Sequence, residues 1–260
     1  MNPDLRPRLG EPSTGVIITG GASGIGFATA RALAAVGRPV AIWDLNGDGA
    51  REAARQIAAA YDVPVTACEI DLRDITAIAP ALAAARKALP SLGGLAYCAG
   101  AGRSTGVEGL TVEEWDSIIG VHVRGLMFLV QALLPDFRAN PGSAAVAISS
   151  INAHLGAAGV PAYTAAKGAV AALVRSLADE LARDGIRINT VAPGFIDTPM
   201  AQRVKQADAE GKITGRILLA RFGEPEEIAR LVRFLLSDEA SYITAAEIFA
   251  DGGNVTSQRG

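Results

Sequence analysis

Short apolar runs alternate with longer alanine-rich amphipathic stretches from Gly15 to the end of the chain, with no linker between them. Runs such as VIIT, VAIW and AAVAI lack polar alternation, which is typical of strands buried on both faces of a parallel sheet. Helices must then cover both faces of that sheet. The alternation predicts an α/β fold, a single doubly wound (Rossmann-like) domain with a seven-stranded parallel sheet.

The same alternation gives approximate bounds for each element. The predicted strands lie near residues 15–19, 39–43, 64–70, 94–98, 144–149, 186–191 and 246–250. The predicted helices lie near residues 24–36, 47–60, 74–89, 111–138, 160–184 and 224–237. A polar segment, about 197–223, interrupts the rhythm after the sixth strand and is interpreted as a mobile lid or, alternatively, an idle surface loop. Residues 1–14 are polar and proline-rich, so we expect a flexible extension before the single domain 15–260.

Composition excludes several classes of function. The net charge is -3 and no basic cluster occurs, so neither nucleic acid nor an anionic membrane surface is an expected partner. The N-terminus has no apolar signal region, which favours a cytoplasmic protein. The stretch from Ala139 to Ala166 lacks charges, but prolines, glycines and polar residues interrupt it, so no membrane span is expected. The only cysteines, Cys68 and Cys98, form no disulfide framework, and the two histidines give no metal-binding spacing.

A glycine-rich segment, TGGASGIG at residues 19–26, follows the first predicted strand and opens the first helix. Glycines let the backbone take φ > 0 and approach a pyrophosphate, while the helix N-terminus offers N–H groups to that anion. Asp44 ends the second strand at the spacing of a carboxylate that binds an adenosine ribose. Such a carboxylate repels a 2′-phosphate, so we expect NAD as the cofactor and not NADP. Asp44 can alternatively be a turn residue before Asn46.

A tyrosine and a lysine lie four positions apart in PAYTAAKGAV. On a helix, positions i and i+4 share one face, so the Tyr163 phenol and the Lys167 ammonium can address one point. The same spacing also fits an ordinary amphipathic helix. A phenol has a pKa near 10, and a cation about 4 Å away at an effective dielectric of about 20 supplies roughly the 4 kcal/mol needed to bring it near 7. Ser150 ends the fifth predicted strand, thirteen residues before Tyr163.

The motifs TGGASGIG, CAG, ISS, YTAAK and PGFIDTPM occur in this order, and with them the chain resembles the short-chain dehydrogenase/reductase family from about Gly15 to Gly253. The resemblance is to the NAD-preferring type with TGxxxGIG and YxxxK motifs. It implies that Tyr163 is the general acid/base, that Ser150 holds the substrate oxygen, and that Lys167 binds the nicotinamide ribose and lowers the pKa of the phenol. The implied cofactor-binding residues are Gly20, Ala22, Ser23, Gly24, Ile25, Gly26, Asp44, Leu45, Asp71, Leu72, Cys98, Ala99, Gly100, Tyr163, Lys167, Pro193, Gly194, Ile196 and Thr198. The implied substrate-binding residues are Ser150, Asn152, His154, Leu155 and Met200.

Some of these assignments have alternatives. Asp71 can flank the adenine or cap the helix that starts near Asp74. Thr198 can join the nicotinamide side, cap a short lid helix, or do both. His122 stands where the family usually carries its fourth catalytic residue, an asparagine, so it is either a catalytic proton relay or a buried structural histidine.

Two further departures from the family pattern are evident. Tyr97-Cys98-Ala99-Gly100 replaces the usual Asn-Asn-Ala-Gly, and Ala245 replaces a glycine near the C-terminus.

The resulting functional hypothesis is an NAD-dependent oxidoreductase that transfers a hydride between nicotinamide and a moderately hydrophobic secondary alcohol or ketone. One alternative is a catalytically impaired cofactor-binding protein, which His122 leaves open. Another is an NADPH-dependent 3-oxoacyl thioester reductase, which Asp44 disfavours. The long helices 111–138 and 160–184 resemble those with which family members pair, so a homodimer or homotetramer is expected.

Overall fold

The computed structural model describes residues 5–102 and 105–258. Within them a seven-stranded parallel sheet has the order β3-β2-β1-β4-β5-β6-β7, which confirms the predicted doubly wound fold. Each predicted strand is present, with ends shifted by at most about two residues. The strands are β1 (Gly15–Thr19), β2 (Val40–Asp44), β3 (Val65–Glu69), β4 (Leu92–Tyr97), β5 (Ala144–Ile148), β6 (Arg187–Pro193) and β7 (Glu247–Ala250).

Helices cover both faces of the sheet. One apolar cluster packs α3, α5 and α6 on one face, and a second packs α1, α2 and α8 on the other. Pro161 occupies the first turn of α6, where its missing N–H costs no hydrogen bond, and the alanine-rich run after it favours helix. The helices are α1 (Gly24–Ala34), α2 (Gly47–Ala60), α3 (Ile78–Ala88), α4 (Val112–Ile119), α5 (Gly125–Ala139), α6 (Pro161–Leu181), α7 (Gln202–Ala207) and α8 (Pro225–Leu235).

The order of the sheet places the candidate site. β1 pairs with both β2 and β4. Strands are therefore added to one side of β1 up to β3 and to the other side from β4 onward, so the strand order reverses between β1 and β4. In sheets of this kind ligands bind at that reversal, beyond the carboxyl ends of the strands. Thr19 and Tyr97 are register partners there, and the Ala99 N–H donates to Thr19 Oγ1 at 3.1 Å. The glycine-rich loop and the CAG segment therefore meet at one edge.

The single helix predicted over 111–138 is wrong in one respect. A π-helical turn, Gly120–Arg124, separates α4 from α5, and it contains the buried His122. One extra residue in a turn barely disturbs an apolar periodicity, so the sequence pattern could not reveal it. π turns of this kind frequently occur at functional sites.

The helical stretch Val112–Ala139 is long and apolar enough to cross a membrane by length and composition. Its apolar side chains pack inside the protein: Leu126, Leu129 and Leu133 are fully buried against the sheet. Burial in a core accounts for the composition of this helix without a membrane. The uncharged stretch 139–166 forms β5, a turn and the start of α6, as expected from its sequence.

The segment 197–223 has local structure of its own. It contains a 3₁₀ turn, Pro199–Ala201, then α7, and a second 3₁₀ turn, Thr214–Arg216. The carboxylate of Asp197 accepts hydrogen bonds from Gln202 and Lys205 in α7. The segment 197–223 is therefore an ordered insertion with its own short helices. Its closure over a ligand remains a prediction.

The predicted extension 1–14 is not loose over its described second half. Arg8 contacts Glu11, and its Nη2 lies 2.7 Å from Asp238 Oδ2. The buried Arg38 guanidinium donates to the Thr14 carbonyl at 3.0 Å. Burial lowers the pKa of Arg38 to about 10. These long-range polar contacts tie residues 8–14 to the domain, and composition alone could not foresee them.

We expect Ala245→Gly to stabilise the protein. Ala245 has a φ of 58°, in the left-handed region where a Cβ costs about 1–2 kcal/mol. Removing that cost outweighs the entropy that glycine adds to the unfolded chain, so the free energy of unfolding should rise by about 0.5–1 kcal/mol. Denaturant unfolding followed by circular dichroism measures it. The control is Ala58→Gly on the exposed side of α2, which should lose about 1 kcal/mol; a similar loss at both positions would contradict the strain argument.

Candidate active site

The glycine-rich loop has the geometry of an anion cradle. Gly20 and Gly24 have φ of 65° and 51°. A Cβ on Gly26 would lie 2.1 Å from the carbonyl oxygen of Gly20, so only glycine fits at position 26 in the first turn of α1. Ser23, the N-cap of α1, makes no side-chain capping bond, and the first turn carries no acidic residue. The positive end of α1 is therefore suited to a pyrophosphate.

Asp44 is held at the end of β2 beside this loop. Its Oδ2 accepts the Ala22 N–H at 3.0 Å and its Oδ1 accepts the Asn46 N–H at 2.9 Å. Asp44 is therefore a turn residue before Asn46, as the alternative interpretation held. This contact leaves part of the carboxylate available for a ribose. A carboxylate has about four acceptor sites, so two remain for hydroxyl groups. Leu45, the next residue, is exposed.

Asp71 is engaged by a neighbour that the sequence analysis did not consider. Arg73 Nη2 lies 2.6 Å from Asp71 Oδ2 and holds the pKa of that carboxyl below its ordinary value. The helix-cap alternative for Asp71 is wrong, because Asp74 itself caps the following turn through the Thr76 N–H. The Leu72 side chain is buried in the core, so only its backbone is available to a ligand.

Tyr163 and Lys167 lie in the first two turns of α6, on one face as predicted. The Lys167 Nζ lies 5.5 Å from the centroid of the Tyr163 ring. It donates to the Ile148 carbonyl at 2.7 Å. Burial lowers the pKa of Lys167 to about 8. The ammonium is therefore tied to the end of β5, with two of its three donors left for other partners.

The expected lowering of the Tyr163 pKa by Lys167 is not found in this structure. Burial raises the pKa of the phenol, and only a hydrogen bond with Ser150 opposes it. Desolvation disfavours the phenolate and opposes the attraction between opposite charges that the spacing of Tyr163 and Lys167 suggests. Further positive charge beside the phenol is needed before it can act as a base near neutral pH.

Ser150 occupies the expected place at the end of β5 and is 8% exposed. Its Oγ accepts the Asn152 N–H at 3.2 Å and so caps the 3₁₀ turn Ile151–Ala153. That capping bond fixes the hydroxyl oxygen and leaves its proton to be donated. The capping contact of Ser150 and its expected substrate role are therefore compatible.

His122 is 1% exposed. Its Nε2 lies 3.0 Å from the Ala101 carbonyl oxygen and 3.1 Å from the Ala101 nitrogen. Its ring is edge-on to that of Tyr163, with centroids 5.6 Å apart and planes at 86°. Burial first, and then the charge of Lys167, lower the pKa of His122 to about 3. The imidazole is consequently neutral at physiological pH, so the proton relay expected from its ordinary pKa is not available by titration.

The CAG segment and the β6 end lie around these groups. Burial raises the pKa of Cys98 to about 12, so its thiol stays protonated. A Cβ on Gly194 would lie 2.8 Å from Asp251 Cα, which means that this glycine is required for packing on the C-terminal segment. Ile196 is buried and forms an isolated bridge with Gly223.

The start of the segment 197–223 touches the glycine-rich loop. A Cβ on Gly24 would lie 3.2 Å from Thr198 Cγ2, and one on Gly102 would lie 3.1 Å from Met200 Sδ. Thr198 precedes the 3₁₀ turn Pro199–Ala201 but makes no side-chain capping bond. Thr198 and Met200 are therefore placed beside the candidate site, and Thr198 also occupies the N-cap position of this turn without a side-chain capping bond.

His154, expected among the substrate-binding residues, contacts a distant strand. Its Nε2 lies 2.9 Å from Glu247 Oε2, and its ring packs on Phe249 with centroids 4.9 Å apart. Both partners belong to β7. Sequence proximity to Ser150 gave no information on this contact, because β7 is about 90 residues away along the chain. Asn152 and Leu155 remain partly buried in the same loop.

Tyr97 also contacts the site, a role that the sequence did not reveal. The Tyr97 hydroxyl donates to the carbonyl of Val121, inside the π turn that carries His122. The signal was the departure of Tyr97 from the usual asparagine, but its partner could not be inferred without the π turn.

The fold and these residues define an oxidoreductase of the doubly wound class. The family model described as enoyl-(acyl carrier protein) reductase matches residues 20–254. The chain is 36% identical over 254 residues to the short-chain dehydrogenase/reductase aba4 of Botryotinia fuckeliana, covering 94% of this chain and 98% of the relative. It is 34% identical to an acetoacetyl-CoA reductase of Synechocystis sp., covering 95% and 99%. The crystal structure of levodione reductase superposes with a TM-score of 0.88 at 33% identity, covering 94% and 98%. The chain therefore belongs to the short-chain dehydrogenase/reductase family, whose members use a nicotinamide cofactor.

We expect acid to destabilise the protein through His122. Between pH 6.5 and about 3 the unfolded chain takes up a proton on this imidazole that the folded protein does not, so the free energy of unfolding falls as the pH falls. From pH 7.5 to pH 5 this single group contributes a loss of about 2 kcal/mol. Urea unfolding of the wild type and of His122→Asn at both pH values measures it. The variant should lose about 2 kcal/mol less than the wild type; parallel losses would show that His122 is not buried neutral.

Proposed function

We propose that this protein is an NAD-dependent oxidoreductase that interconverts a moderately hydrophobic secondary alcohol and its ketone. The observation that carries the proposal is the convergence of Ser150, Tyr163 and Lys167 at the carboxyl edge of the sheet, where the glycine-rich loop also ends. Ligands of doubly wound proteins bind at that edge.

The described residues fit a nicotinamide dinucleotide. The start of α1 would hold the pyrophosphate, and the Asp44 carboxylate would accept the adenosine ribose hydroxyls through its two remaining acceptor sites. Ala99, bonded to Thr19, would lie along the dinucleotide between them. The free donors of Lys167 would bind the nicotinamide ribose. When bound, the nicotinamide accepts or donates the hydride.

The protein's own residues would then handle the proton. The Ser150 hydroxyl would donate a hydrogen bond to the substrate oxygen and so orient the reacting carbon. Tyr163 removes the alcohol proton or returns it to the ketone oxygen. Because burial raises the pKa of Tyr163, its phenolate would need positive charge nearby. Lys167 would supply one such charge, and an oxidised nicotinamide, when bound, would supply another. This requirement links proton transfer to occupation of the cofactor site.

Asp44 supports NAD over NADP. A 2′-phosphate in place of the ribose hydroxyl would face this carboxylate, and like charges at close range repel. The similarity to an acetoacetyl-CoA reductase supports a second candidate, a 3-oxoacyl thioester reductase of the same fold. We rank it second, because Asp44 is rigidly held by Ala22 and Asn46. A cofactor-binding protein without turnover ranks third, since the three catalytic side chains are present and assembled.

The substrate assignment rests on the side chains near Ser150. Asn152, Leu155 and Met200 combine one amide with two apolar groups, and none is charged. Such a surface favours an uncharged or weakly polar substrate. We place the enzyme in the cytoplasm, acting on a small molecule without nucleic acid or membrane.

Self-association is part of the same proposal. Val112, Trp115 and Phe128 on α4 and α5 are large apolar side chains that are exposed, and contact with a second copy of the chain would remove them from water. We infer a homodimer or homotetramer built in part on these helices.

Tyr163→Phe is the direct test of the general acid/base. Loss of the hydroxyl should lower kcat by about 100-fold or more with NAD and a secondary-alcohol panel, because no other group replaces the proton transfer. The affinity for NADH, measured by fluorescence titration, should change little. The control is Tyr61→Phe at the end of α2, which should retain activity. Wild-type turnover in Tyr163→Phe would disprove the proposed mechanism.

Asp44→Asn tests the cofactor preference. The amide keeps one acceptor oxygen but loses the charge that repels a 2′-phosphate. The ratio of kcat/KM with NAD to that with NADP should fall by about 10-fold or more, equivalent to about 1.4 kcal/mol. Loosening of the Ala22 loop affects both cofactors alike and cancels in the ratio. An unchanged ratio would show that Asp44 does not select the cofactor.

A further inference from the structure

Tyr97 connects the end of β4 to the π turn. Its side chain is 2% exposed, and its hydroxyl donates to the Val121 carbonyl at 2.5 Å. A π turn breaks the regular ladder of i to i−4 hydrogen bonds, so a carbonyl within it needs another donor. The phenol supplies that donor from outside the helix. No other function of Tyr97 follows from the reaction proposed above.

Two glycines fit the rings of this region. A Cβ on Gly125 would lie 2.5 Å from the Tyr97 hydroxyl oxygen, and a Cβ on Gly100 would lie 2.4 Å from His122 Cε1. Real side chains do not approach this closely, so any larger residue would displace one ring or the other. The rings of Tyr97 and His122 therefore fit beside the backbone only because Gly125 and Gly100 carry no side chain.

His122 transmits this arrangement to the candidate site. Its ring stands edge-on to Tyr163 at a centroid distance of 5.6 Å. Among the described residues its Nδ1 has no hydrogen-bond partner, so the ring is oriented by Nε2 at Ala101 and by the backbone of the π turn. A change in the π turn therefore moves the surface against which the Tyr163 ring rests.

We propose that Tyr97 is a positioning residue for the reaction: by holding the Val121 carbonyl, it fixes His122 and thereby the ring of Tyr163. The proposal rests on the function of Tyr163 proposed above. Aromatic pairs of this edge-on type have a preferred geometry, so a displaced imidazole shifts the phenol with it. Misplacement of a reacting group by about 1 Å can cost about 100-fold in rate.

The test is a double-mutant cycle with Tyr97→Phe, His122→Asn and the double variant. Tyr97→Phe removes only the hydroxyl and should lower kcat about 10-fold with little change in KM for NAD, since the cofactor contacts remain. In the His122→Asn background the same substitution should change kcat less than 2-fold, because the ring that Tyr97 positions is gone. An equal factor in both backgrounds, or no effect in the wild type, would overturn the proposal. Tyr61→Phe is the control for loss of a tyrosine hydroxyl elsewhere.

A second measurement needs no turnover. The chain has two histidines, so a protein labelled with ¹⁵N-histidine gives two imidazoles, and His154→Gln identifies the resonances of His122. Tyr97→Phe should shift or broaden the His122 resonances and leave those of His154 in place. Unmoved His122 resonances would overturn the proposal even if the cycle could not be completed because a variant failed to fold.

The two proposals fail in different ways. Wild-type turnover in Tyr163→Phe would end the proposed function whatever Tyr97 does. An inactive Tyr163→Phe together with a Tyr97→Phe effect that is equal in both His122 backgrounds would end only the positioning proposal.

Discussion

Parallel pairing of β1 with both β2 and β4 is the constraint on which the rest of the structure depends. In a parallel sheet all carboxyl ends lie at one edge, so residues far apart in the chain meet there. The glycine-rich loop, Asp44 and the CAG segment reach that edge from three neighbouring strands. The connection from β5 into α6 adds Ser150 and Tyr163. A different chemical group follows each strand, and the parallel sheet brings these groups close together although they are far apart in the sequence.

Burial sets the electrostatics of this edge. It raises the pKa of Tyr163 and lowers those of Lys167 and His122. All three shifts have the same largest cause, which is that a poorly solvated group prefers its neutral form. The site therefore disfavours the phenolate until positive charge accompanies it. Burial therefore favours the neutral forms of all three groups at this edge.

The departures of this chain from its family pattern are connected in space. Tyr97 and His122 replace two residues that the family usually carries as asparagines, and the Tyr97 hydroxyl binds the turn that carries His122. Gly100 and Gly125 leave room for these two rings. Ala245, a further departure, is unrelated to them and lies in a left-handed conformation for which its side chain is poorly suited.

The sequence by itself determined the fold and the places of the glycine-rich segment, Ser150, Tyr163 and Lys167 at the ends and starts of its elements, because apolar periodicity and motif spacing are local properties of the chain. Only the tertiary structure decided the partners of the polar groups. His154 binds Glu247 on a distant strand, Asp71 binds Arg73, and the Tyr97 hydroxyl reaches the Val121 carbonyl. The direction of the Tyr163 pKa was likewise beyond the sequence, since desolvation depends on everything packed around the phenol. Spacing along a chain fixes which groups can share a face, whereas burial and long-range contacts fix what each group does there.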